Sequence, residues 1–103
     1  MDKIAGLKEI LELDPTNSLA RYGLAMELAR TGETDAALAE FGRLAANDPN
    51  YTAGYFMAAQ TLASAGRRTE AIERLRSGIA SAQRSGNSHA ASEMQAMLED
   101  LER

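Results

Sequence analysis

Two short stretches, "ELDPTN" at residues 12–17 and "ANDPNY" at residues 46–51, hold both prolines of the chain, and the prolines stand 34 residues apart. The residues that follow them keep the same offset. Tyr22 falls on Phe56, Ala25 on Ala59, Leu28 on Leu62, Gly32 on Gly66, Ala37 on Ala71, Leu38 on Ile72 and Phe41 on Leu75. Two unrelated loops would not bring their flanks into register. A fixed period between about 20 and 50 residues is the mark of a repeat architecture.

Each period reads as two helices. In the first, Leu24, Ala25 and Leu28 share one face, Gly32 stops the helix, Thr34 is the expected N-cap, and Ala37, Leu38, Phe41 and Leu44 resume the helical spacing. The second repeats the scheme with Ala58, Ala59, Leu62, Gly66, Ala71, Ile72, Leu75 and Ile79. Alanines at 25, 37, 59 and 71 allow paired helices to approach closely, with Phe41 and Leu75 filling the space between repeats. Counting back from Pro15 places Leu7 at the Phe41 position and Ile10 at the Leu44 position, so residues 2–13 read as the second helix of an incomplete repeat. After Gln83 a helix runs on until Ser85, Gly86 and Asn87 break it. Ala91, Met94, Leu98 and Leu101 then form one face of a last, capping helix.

The pattern resembles the tetratricopeptide repeat family, whose unit carries W-x2-L-G-x2-Y, then A-x3-F, then P. The first repeat supplies Leu24-Ala25-x2-Leu28, Ala37-x3-Phe41 and Pro49. The second supplies Tyr55-x2-Ala58-Ala59-x2-Leu62 and Ala71-x3-Leu75. Arg21, where the family prefers tryptophan, and Gln83, where a closing proline is expected, depart from it. The resemblance implies an all-α, right-handed helix-turn-helix solenoid of about six helices. A single domain is expected: a half repeat at 1–15, repeats at 16–49 and 50–83, and an extension with a capping helix at 84–103. The opening methionine before a half repeat and the polar "EDLER" end read as a complete small protein.

With 15 acidic against 11 basic residues and a net charge of −4, the surface does not suit nucleic acid or anionic lipid. The absence of cysteine removes disulfides, thiolate nucleophiles and cysteine-bound metals. The N-terminal residues lack the apolar run of a signal peptide and no stretch reaches the length of a membrane span, so the reading is a cytoplasmic protein. Valine is absent and alanine abundant, which favours helix throughout.

At 100° per residue, Leu19, Tyr22, Met26 and Ala29 form a second apolar stripe about 130° from the interior face of their helix. Ala53, Phe56, Gln60 and Ala63 repeat it. The resemblance implies that such positions line a concave groove for peptides or partner helices, giving Leu19, Tyr22, Met26, Phe56, Met57 and Gln60 as the expected binding residues. Two readings stay open: neighbouring helices cover these side chains, or they form an exposed interaction patch. The family's carboxylate clamp for chaperone C-termini needs Lys, Asn and Arg where this chain has Tyr22, Met26 and Met57, so an apolar or helical ligand is expected instead.

Other candidate chemistry reads as structural. Arg67, Arg68, Arg74, Arg76 and Arg84 have acidic neighbours, with Glu70–Arg74 and Glu73–Arg76 as the expected pairs. His89, with Glu93 four residues on, lacks the further ligands of a metal site and the constellation of a hydrolase. No cofactor, metal, catalytic residue, nucleic acid or membrane is expected. The expected function is a non-enzymatic protein-interaction module. The alternative is a homo-oligomer built through the groove or through the terminal faces of Ile4, Leu7, Leu11 and of Met94, Met97, Leu101.

Overall fold

The computed structural model describes residues 2–103. It contains six helices: α1 (Lys3–Leu13), α2 (Ser18–Arg30), α3 (Thr34–Asn47), α4 (Thr52–Ser64), α5 (Arg68–Arg84) and α6 (Ser88–Glu102). No strand occurs among the described residues. The chain divides into two compact units, Met1–Asp48 and Pro49–Arg103.

In the first unit α1 packs on α2 and α2 on α3. Asp2 caps α1 by accepting from the Ala5 amide at 2.7 Å, and Asn17 caps α2 by accepting from the Ala20 amide at 2.9 Å. The interior is Leu24, Ala25 and Leu28 against Ala37, Phe41 and Leu44, all buried. Ser18 Oγ donates to Asp48 Oδ2 at 2.7 Å, tying the start of α2 to the end of α3. Thr34 is not the N-cap expected for α3. It is the first helical residue, and Glu33 holds the cap position without a side-chain bond. The geometry of the preceding turn explains this, because the Glu33 amide donates back to the Leu28 carbonyl at 2.9 Å. The end of α2, rather than a hydroxyl, sets where α3 begins.

The second unit packs α4 on α5 and α5 on α6. Its core is Ala59, Leu75, Ala82, Met94 and Leu98, with Ala91 and Leu101 partly buried against it, so the apolar face expected for α6 is the face that packs. The turn into α6 copies the turns inside the two hairpins. Gly86, like Gly32 and Gly66, has positive φ, and the Asn87 amide reaches the Ala82 carbonyl as Glu33 and Arg67 reach Leu28 and Leu62. Where Gln83 replaces the expected proline, α5 therefore runs to Arg84 and ends by a glycine turn.

Gly78 shows how tightly α5 is held. A Cβ there would lie 2.7 Å from Tyr55 Cβ on α4 and 2.5 Å from Met94 Sδ on α6. The methionine could swing away, but the tyrosine Cβ is fixed to its helix. Gly78→Ala is therefore expected to destabilise the protein by about 1–3 kcal/mol, although alanine is the better helix former by about 1 kcal/mol. Urea denaturation followed by circular dichroism measures the sign.

Candidate functional site

On α2 the buried Leu24, Ala25 and Leu28 fix the orientation of the helix. The second stripe is thereby turned outward. Leu19 is 72% exposed, and Tyr22, Met26 and Ala29 are half-buried. Large apolar side chains held outward on one helix face are a docking surface in chemical terms, since their transfer from water is favourable once a partner covers them.

On α4 the corresponding positions behave differently. Ala53 and Gln60 are exposed and Met57 is half-buried. Phe56 packs in part against the core cluster that α5 and α6 contribute to. The two readings thus divide by residue: Leu19 is open, while Phe56 is shared between the surface and the core. Of the terminal faces expected to self-associate, Leu11 and Met94 are buried within the chain and Leu7 lies over Gly23, whose Cβ would sit 3.4 Å from Leu7 Cδ2. Those residues are already used in folding.

The position where the family prefers tryptophan carries a function that its sequence does not advertise. Arg21 Nη2 donates to the Pro15 carbonyl at 2.8 Å, and Tyr55 Oη donates to the Pro49 carbonyl at 2.9 Å. Two chemically unlike residues thus anchor the same turn from six residues away. Arg21 also donates to Glu40 Oε1 at 2.6 Å, and Arg43 pairs with the other Glu40 oxygen, so α2 is stitched to α3. Arg21 and Glu40 help line a shallow pocket of about 300 Å³ with Lys8, Leu11, Glu12 and Leu24. Sequence reading registered Arg21 only as a departure. The six-residue spacing to proline, repeated at Tyr55, was the available signal.

The arginine run is a set of surface ion pairs, as expected, but with other partners. Glu70 pairs with Arg67 at 2.9 Å, and Arg76 pairs with Glu102 of α6 at 2.8 Å. Arg84 donates to Asn50 Oδ1 and to the Pro49 carbonyl, both at 3.1 Å, bracing the turn that Tyr55 also holds. His89 Nε2 lies 3.2 Å from Glu93 Oε1 on an exposed part of α6. Among the described residues no group of three or more His, Cys, Asp or Glu side chains is placed to hold a metal ion, and no helix is long and apolar enough to cross a membrane.

The helical hairpins, the alanine contacts and the proline and glycine turns define a class of helical repeat protein. A family model described as tetratricopeptide repeat matches residues 4–53 and again 28–98. The chain belongs to the tetratricopeptide repeat family. It is 30% identical over 100 residues to the TPR repeat-containing protein PA0015 of Pseudomonas aeruginosa, covering 97% of this chain and 95% of that one. The solution structure of BPP2914 from Bordetella parapertussis is similar at 29% identity and a TM-score of 0.83, covering all of this chain and 90% of that one. The type III secretion chaperone SycD of Yersinia enterocolitica, in complex with a peptide of the translocator YopD, shares the fold. It matches at 22% identity and a TM-score of 0.85, over 96% of this chain and 76% of that one.

Beside the α2 stripe, Glu27 accepts from Arg30 and lies 3.7 Å from Lys3 Nζ of α1. The Arg30 hydrogen bond, with the charges of Arg30 and Lys3, holds its carboxyl below the usual value of 4.5. A carboxyl lowered by folding stabilises the native state above its unfolded pKa and loses that contribution as pH falls through the folded value. Glu27→Gln is therefore expected to lower the melting midpoint slightly at pH 7. The difference from the unchanged protein should vanish as pH drops well below 4.5, as thermal scans across pH would show.

Proposed function

We propose that the chain is a non-enzymatic protein-interaction module that docks an apolar peptide or helix against Leu19, Tyr22 and Met26 of α2 and Phe56, Met57 and Gln60 of α4. The observation that carries this reading is Leu19, a leucine left 72% exposed in line with half-buried Tyr22 and Met26. Such a row anchors an amphipathic helix or an extended apolar segment through several shallow contacts. The flexible thioethers of Met26 and Met57 let the surface adapt to more than one sequence.

The peptide complex of SycD supports the reading as a precedent: the same fold seats a peptide of another protein. The polar groups with the best hydrogen bonds, Arg21, Glu40, Tyr55 and Arg84, are engaged in bracing turns and helices, which is a structural use. A cytoplasmic setting fits the cysteine-free, acidic composition.

The test captures partners from native lysate on the immobilised full chain, then measures the affinity of each recovered partner for Leu19→Glu and Tyr22→Ser variants. Leu19→Glu, at an exposed position, is expected to change stability by no more than about 0.5 kcal/mol. Both variants should weaken binding by about tenfold or more. Phe56→Ser is a poorer probe, because Phe56 also packs on the core cluster. Partners that bind both variants as tightly as the unchanged chain would refute the site.

A further inference from the structure

The large apolar side chains that stand out in solvent include two on α1, Ile10 at 46% and Leu13 at 91% exposure. Their exposure has a cause in the repeat. Lys3, Ile10 and Asp14 stand 34 residues before Ala37, Leu44 and Asp48 of α3. On α3 these positions are occupied: Ala37 and Leu44 are buried, and the Asp48 carboxylate accepts from Ser18 at the start of α2. Within its unit α1 packs against α2, and the face that corresponds to the α2-facing side of α3 remains open.

We propose that a second copy of this chain covers that face, α1 against α1 in antiparallel orientation. The charges along the face choose this occupant. On a helical wheel Lys3, Ile10, Leu13 and Asp14 lie within about 100° of one another, with the cation at the first turn and the anion just past the last. An antiparallel pair sets Lys3 of each chain beside Asp14 of the other, with Ile10 and Leu13 between them. The contact reproduces the hairpin of the first unit, where the start of one helix donates to the aspartate at the end of its neighbour. Here Lys3, 71% exposed and only loosely held by Glu27 at 3.7 Å, takes the part of Ser18.

The face is small, well below the roughly 1,200 Å² of stable interfaces, so the dimer is weak, with a dissociation constant of about 0.1–1 mM. Its two-fold symmetry makes each charge pair occur twice.

Sedimentation equilibrium of the full chain from about 10 µM to 1 mM is expected to show a rise from one chain mass toward two. Ile10→Asp should leave a monomer at all concentrations. K3E and D14K, each favourable to the helix end it occupies, set like charges together at both ends of their own dimers and should weaken them by about tenfold. Mixing the two variants restores opposite charges at both ends, so the mixed pair should associate as the unchanged chain does. Circular dichroism of the monomers shows that each variant is folded. A strict monomer at 1 mM would overturn the proposal. So would a dimer indifferent to Ile10→Asp, or a mixture of K3E and D14K that associates no better than either alone.

Discussion

The close approach of paired helices at single-carbon side chains governs the rest of the molecule. Ala25 and Ala37 in the first hairpin, and Ala59 and Ala71 in the second, are fully buried. At such a crossing the interaxial distance is set by the side chains between the helices, and short ones bring the axes together. Once the axes are close, Phe41 and Leu44 in one unit and Leu75 in the other are closed from solvent. The rotation of α2 and α4 about their own axes is then fixed. The outward stripe that begins at Leu19 is a consequence of that rotation and needs no separate device.

Turn chemistry then spaces the hairpins. Each proline turn is gripped by a residue six positions on, by a guanidinium in one case and a phenol in the other. What the turn requires is a donor of the right reach to the proline carbonyl. Arginine meets that requirement in the first unit, and by reaching Glu40 as well it also bonds α2 to α3. The glycine turn before α6 makes a hairpin without a proline, which leaves α5 three residues longer than α3.

Much of this was legible in the sequence because it is local or periodic. The six helices, the glycine stops and the buried alanines all follow from spacing and side-chain size. What escaped was long-range or depended on a neighbour. Arg21 and Glu40 are 19 residues apart, and no short-range rule couples them. Glu102, not Glu73, takes Arg76, because α6 packs beside α5. Ile10 was placed correctly at the Leu44 position, yet the same position is buried on α3 and open on α1, since burial belongs to the neighbouring helix as much as to the residue. The candidate surface was legible as a stripe on α2. On α4 it was less so, because the packing of Phe56 on a cluster completed by Met94 and Leu98 could not be read from the period alone.

The methionines provide a direct test of the central claim that burial of one face leaves the other to a partner. Met94 is fully buried, whereas Met26 and Met57 lie half-buried on the proposed surface and Met97 lies on the capping helix. Methyl NMR of methionine-labelled protein, titrated with a partner recovered from native lysate, reads these positions at once. The expected result is that the Met26 and Met57 methyl signals shift with the partner while those of Met94 and Met97 stay in place. Shifts at Met97 with Met26 and Met57 unmoved would contradict the assignment and move the interaction to α6.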